Sequence, residues 1–179
     1  MEQLPTATEL NGLDRNMLAR TVIQTAREAG LSVATAESLT AGLIASALAE
    51  VPGASAVLQG GIISYSSEVK ANVLSVDRAL LEAKGSVDGE VARQMAVGAM
   101  GCCSSAIAVS ATGVAGPDAH DGKPVGTVFL GWAHAGGSGY AHYTLSGSRG
   151  EIREQSTIAA LSLLITTMHS VTPQVDGAM

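Results

Sequence analysis

Aromatic side chains are scarce in this chain, with one Trp, one Phe and three Tyr among 179 residues. The 46% of hydrophobic residues must therefore build a core from Ala, Val, Leu and Ile, which suits helices packed on a sheet. Charge is sparse too, at 15%, and 10 Lys and Arg against 16 Asp and Glu leave a net −6. That balance excludes a broad basic surface for nucleic acid or an anionic membrane, so an anionic ligand needs a local basic site. Cysteine is limited to the neighbours Cys102 and Cys103. Adjacent cysteines rarely reach disulfide geometry, and apolar flanks suggest buried thiols in a reducing compartment. No charged-then-apolar leader pattern opens the sequence, and no apolar run reaches the roughly 18 residues of a membrane span. The expectation is a soluble, cytoplasmic protein of one domain.

What is present is an alternation of apolar runs and helical patterns. The first thirteen residues, polar and holding Pro5 and Gly12, read as a loose arm, and 171–179 as a frayed tail around a single domain over 14–170. Asp14 caps a helix to about Ala29, with Leu18, Val22 and Ala26 on one face and Gly30 as its stop. A strand over 31–36 leads to a helix over about 40–49, and GGIISY at 60–65 reads as a second strand. SSEVKANVLSV and 77–83 read as short helices, and Val91, Met95 and Ala99 mark a longer one. A strand over 106–111, the glycine-rich GVAGPDAHDGK, a hairpin from PVGTVFLGWA and GYAHYTLS, and a helix over about 149–169 complete the order. The pattern predicts a three-layer α/β/α sandwich with a mixed, mostly parallel sheet of about five strands.

Ligands in such sheets bind beyond the carboxyl ends of parallel strands. Three loops open there, carrying Ser38, then Tyr65 with Lys70, then Thr112 with the loop through Gly122. Ser38, in TAESLTAG, stands between a strand and a helix, where unpaired N–H groups form either an oxyanion hole or a site that Ser38 or Thr40 simply caps. Serine needs a base, and the four histidines fall in no triad-like setting. A lysine serves if burial lowers its pKa. Lys70, five residues after Tyr65, is placed for this, although solvated Lys70 and packed Tyr65 are the plainer alternative. Gly113 and Gly116 permit backbone approach to a ligand, or serve turns alone. Arg149 and Arg153, four apart, either grip a phosphate at a helix start or pair with surface carboxylates. Asp118, His120 and Asp121 are too crowded for a convincing metal ligand set, and no metal is expected.

Taken in order, TAESLTAG, GGIISYSSEVK, SVDGEVARQMAVGAM, SATGVAGPD, KPVGTVFLGW and GSRGEIR resemble the C-terminal domain of the competence/damage-inducible protein CinA. That family includes stand-alone nicotinamide-nucleotide amidohydrolases. The resemblance covers about residues 14 to 168. It implies an α/β/α sandwich, self-association, no cofactor, and hydrolysis of nicotinamide mononucleotide to nicotinate mononucleotide and ammonia in pyridine nucleotide salvage. It puts the nucleophile on Ser38, its helpers on Tyr65 and Lys70, the oxyanion donors at 38 to 42 including Thr40, Ala41 and Gly42, and substrate contacts on Thr112, the glycine loop, Arg149 and Arg153.

The chain departs from the family pattern at four places. Ala41 replaces the first glycine of TAESxTGG, Ser148 the aspartate of GDR, Asp88 a serine, and AHDG a glycine pair. Two alternatives to the amidohydrolase stay open: a noncatalytic nucleotide-binding regulatory module, and a Ser/Lys hydrolase of another amide or ester. The companion domain that precedes this one in full-length CinA proteins is not in the sequence, so any activity of that domain is expected to be absent.

Overall fold

The computed structural model describes residues 4–171. Along the chain run α1 (Ala7–Leu10), α2 (Arg15–Ala29), β1 (Val33–Glu37), α3 (Leu43–Ala49), β2 (Leu58–Ile63), α4 (Ser67–Leu74) and α5 (Arg78–Lys84). They are followed by α6 (Gly89–Cys103), β3 (Ile107–Gly113), β4 (Thr127–His134), β5 (Gly137–Thr144) and α7 (Arg149–Val171). The five strands form one mixed sheet in the order β2-β1-β3-β4-β5. β1 pairs in parallel with β2 and β3, whereas β3–β4 and β4–β5 are antiparallel, so four of the five strands point the same way.

Alternation along the central strands divides the core into two layers, because successive side chains leave opposite faces. Val33 of β1 and Ile107, Val109 and Ala111 of β3 pack with α2, α3 and α7. Ala34, Ala36 and Ala108 face the other way, against Leu74, Val91, Met95 and Ala99 of α4 and α6. The small residues on that second face let α6 lie across the sheet. α2 begins on the Asp14 carboxylate, which accepts from the Asn16 and Met17 N–H groups, and ends on left-handed Gly30. Val22 and Ala26 are buried as expected, with Leu18 half-buried. In α7, hydroxyls of Ser156, Thr157, Ser162 and Thr167 donate to carbonyls four residues back, which lets a helix buried over most of its length carry polar side chains.

The N-terminal arm differs from expectation. Thr6 and Glu9 form a capping box around one turn of helix, and Leu10 is fully buried beside α7. One turn is too short for periodicity to reveal. The expected tail falls almost entirely on residues 172–179, outside the described ones.

Candidate functional site

β1 brings Ser38 to the carboxyl edge of the sheet, where its N–H donates to Ala111 O at 2.9 Å and extends the β1–β3 ladder by one bond. The chain then reverses through Ala41 and Gly42, both left-handed at φ 50° and 98°, and enters α3. For Ala41 this conformation costs about 1–2 kcal/mol that glycine would not incur. α3 is not capped by Ser38 or Thr40, as one expectation had it. Its N-terminal donors converge on Glu37, whose buried carboxylate accepts from Gly42, Ile44 and Ala45 N–H at 2.9, 3.1 and 2.8 Å and from Thr35 Oγ1 at 3.2 Å. Glu37 thereby takes the positive end of the helix and leaves the Ser38 hydroxyl out of capping.

The five N–H groups over 38–42 are unequal as a result. Those of Ser38, Ala41 and Gly42 are bonded to Ala111 O, Ser38 O and Glu37. Those of Leu39 and Thr40 have no acceptor among the described residues. Arg153 reaches from α7 to hold Leu39 O at 2.8 Å and Thr40 O at 3.1 Å. In a trans peptide C=O and N–H point oppositely, so this hold turns the Thr40 N–H away from Arg153, as it does the Ala41 N–H that reaches Ser38 O. Arg153 is thus occupied by the serine turn, and Thr40, fully buried with its hydroxyl unpartnered among the described residues, is not one of the residues that line the neighbouring cleft.

Lys70 sits one turn into α4, which Ser66 caps through Val69 N–H. Its side chain is fully buried, with Nζ 3.0 Å from Ser38 Oγ and 2.7 Å from Ser64 O. Desolvation lowers its pKa from 10.5 to about 8, against an opposing pull from the negative charge of Asp121. In the neutral amine, one N–H is committed to Ser64 O and the lone pair is available to the Ser38 hydroxyl. About a tenth of the amine is neutral at pH 7. Ser64 lies within GGIISY, but its role as a carbonyl acceptor is recognisable only once β2 and α4 are in place.

Tyr65 does not join this pair. It is 60% exposed at the rim, and its hydroxyl accepts from Arg149 Nη2 at 3.0 Å. Arg149 also donates to Gly116 O at 2.7 Å, so it spans the mouth from Tyr65 to the glycine loop. Thr112, almost wholly buried, donates to Ser86 O at 2.7 Å. Ser38, Tyr65, Thr112, Gly113, Gly116 and Arg149 line a cleft of ≈ 340 Å³, at the small end of ligand-binding volumes. Asp118, His120 and Asp121 gather no metal-holding group of three or more such side chains among the described residues.

The departures at 148 and 88 keep local roles. Ser148 and Glu151 bond reciprocally across the first turn of α7, with Ser148 Oγ 2.7 Å from Glu151 Oε2. Asp88 caps α6 through Glu90 N–H at 2.8 Å.

A three-layer sandwich with a serine and a buried lysine hydrogen-bonded at its carboxyl edge is the setting in which the comparisons with known proteins fall. Residues 15–168 match the family described as the CinA C-terminal domain, and the chain belongs to that family. It is 46% identical over 138 residues to a CinA-like protein of Mycolicibacterium vanbaalenii, covering 76% of this chain and 33% of the relative. With a CinA-like protein of Geobacter sulfurreducens it shares 43% over 150 residues, covering 83% and 36%. The chain thus spans about a third of the length of these curated relatives. Among solved structures it resembles a competence/damage-inducible protein of Agrobacterium tumefaciens, with TM-score 0.82, 36% identity and coverage of 93% of this chain and 98% of that one. A CinA superfamily protein of Klebsiella pneumoniae gives TM-score 0.85 at 27% identity, over 88% and 99%.

Proposed function

We propose that this chain hydrolyses the carboxamide of nicotinamide mononucleotide, giving nicotinate mononucleotide and ammonia. The observation that carries the reading is the 3.0 Å bond between Ser38 Oγ and the buried Lys70 amine. Lys70 in its neutral form takes the Ser38 proton as Oγ bonds to the amide carbon, and the carbonyl π pair moves onto oxygen. The N–H groups of Leu39 and Thr40 are the donors left for that oxyanion. Collapse breaks the C–N bond, and ammonia departs with the proton that Lys70 carried. Water then adds to the acyl-enzyme, Lys70 accepts its proton, and Ser38 leaves with that proton as the carboxylic acid forms and ionises.

Arg149, which lines the cleft at its mouth, is the basic group we assign to the phosphate, whereas Arg153 is bonded to the serine turn and does not line the cleft. Tyr65, held by Arg149, flanks the nicotinamide ring at the rim. Left-handed Ala41 lies beyond the two free donors, so its methyl group does not remove them. This weighs against a pocket that has lost turnover.

The test is to incubate the protein with nicotinamide mononucleotide and measure ammonia and nicotinate mononucleotide, with Ser38→Ala and Lys70→Ala alongside. Both variants are expected to lose at least 1,000-fold in kcat, on the order seen when a nucleophile or its base is removed. The wild-type kcat/KM rises with pH and levels off near the Lys70 pKa of about 8. Undiminished turnover by Ser38→Ala would refute the acyl-enzyme. Tight binding without product from the wild type would favour the regulatory module.

A further inference from the structure

The segment between β3 and β4 is a small hairpin rather than a bare glycine loop. Val114 N–H donates to Thr127 O at its base, and His120 and Lys123 exchange two backbone bonds of 3.1 and 2.9 Å near its tip. Between them Asp121 and Gly122 take φ of 50° and 68°, the successive positive values of a type I′ turn, in which Asp-Gly is favoured. The tip does not project freely. Asp121 Oδ2 accepts from Ser86 N–H at 2.5 Å and from Ser86 Oγ at 2.9 Å. The contact is close: a Cβ on Gly85 would stand 2.5 Å from the Asp121 carboxylate. Ser86 O in turn accepts the Thr112 hydroxyl. Ser86 lines the cleft, as do Pro117, Asp118 and His120 from the hairpin.

We propose that Asp121 is a positioning residue of the Ser38 site: it fastens the 114–126 hairpin to Ser86 as a fixed wall of the cleft. Burial raises the Asp121 pKa, but the two bonds from Ser86, the neighbouring His120 and the Val87 N–H together more than offset this and hold it below the ordinary value, so the group is anionic at neutral pH. Its charge favours the ammonium that Lys70 becomes on taking the Ser38 proton. The other acidic groups on neighbouring elements are committed elsewhere. Glu37 holds the α3 N–H groups, Glu68 pairs with Arg78, Glu90 pairs with Arg93 and Asp88 caps α6. Tyr65, after β2, bonds Arg149, Asp118 lies on the same hairpin at the cleft wall, and His120 Nε2 stands 3.5 Å from the other Asp121 oxygen, Oδ1.

The kinetic part rests on the hydrolase reading, and the structural part does not. Asp121→Asn keeps the size and tolerates a left-handed conformation while removing the charge. In the full chain, the Lys70 titration is followed by NMR of its ε-methylene, and hydrogen exchange is followed at the Ser86 amide. In Asp121→Asn the Lys70 midpoint should move to lower pH and the Ser86 amide should exchange about tenfold faster, as expected for losing a charge-assisted bond. With nicotinamide mononucleotide, KM should rise about tenfold and the acid limb of kcat/KM should move down with Lys70. Ser86→Ala, which removes only the hydroxyl, should speed exchange less and leave the Lys70 midpoint in place. An unchanged Lys70 midpoint with unchanged Ser86 exchange in Asp121→Asn would overturn the proposal whatever the activity. A midpoint that shifts equally in Ser86→Ala would overturn the assignment of the charge. A wild type without turnover would count against the hydrolase and leave these two measurements to decide.

Discussion

Replacing Lys70 by Met tests the electrostatic basis of the site without any substrate. The fully buried amine has its pKa lowered from 10.5 to about 8 by desolvation, which corresponds to about 3 kcal/mol disfavouring the charged form in the fold. Below pH 8 both folded and unfolded chains carry the ammonium, and this cost is present in full. Between about pH 8 and 10.5 the unfolded chain still holds a proton that the folded one has released, so stability rises with pH. Above 10.5 both states are neutral and the dependence ends. Lys70→Met lacks this titration, and its lost bonds to Ser38 and Ser64 add an offset that does not vary with this proton. The unfolding free energy of the wild type minus that of Lys70→Met should therefore climb by about 3 kcal/mol from pH 7.5 to 10.5, with a slope approaching about 1.4 kcal/mol per pH unit. Urea unfolding of both proteins across that range measures it. A difference that stays flat would mean an ordinary lysine, and a Lys70 base near neutrality would have to be abandoned.

Ala41→Gly should stabilise the fold by about 0.5–1 kcal/mol, because it removes a left-handed alanine at the cost of extra chain entropy, and thermal unfolding reads it out. Glu37→Ala should cost about 3–5 kcal/mol, lowering Tm by roughly 10 °C, since three backbone donors at the start of α3 lose their acceptor. Arg149→Ala should raise KM for the mononucleotide about 10–100-fold while leaving the nicotinamide riboside unaffected, so the preference for the phosphorylated substrate collapses. Equal losses for both substrates would assign Arg149 to the rim's structure rather than to phosphate.

Much of this arrangement was legible in the chain because it rests on local spacing. The apolar faces of α2 and α6, the Asp14 cap, and the strand-to-helix placement of Ser38 follow from patterns within one element. The pairing of Ser38 with Lys70 was accessible from the loop order of a parallel sheet together with the family resemblance. The partners that decide each polar group's role were not. Arg153 looked equivalent to Arg149 on a helical face, yet α7 passes close enough to the serine turn for its carbonyls to claim one arginine and not the other. Tyr65 was placed beside Lys70 by sequence distance, but a strand end and a helix interior diverge, and its hydroxyl turns to Arg149. Glu37 left no such signal either, since it closes β1 six residues before α3 begins and reaches the helix only because the chain folds back through Ala41 and Gly42. The Ser86–Asp121 contact joins segments 35 residues apart, and no periodicity carries it.

The bond between Ser38 and Lys70 spans elements on opposite sides of β2 in the sequence. β2 is an edge strand, hydrogen-bonded to β1 alone, with every second residue exposed. Ser64, directly after it, supplies the carbonyl that holds the amine. If this one edge detaches in a sub-global opening, the proposed base is withdrawn while α2, α7 and the other four strands remain folded. The proposed hydrolysis is thus tied to an edge strand, and on heating it should fade and return reversibly at temperatures where the helical signal is still intact.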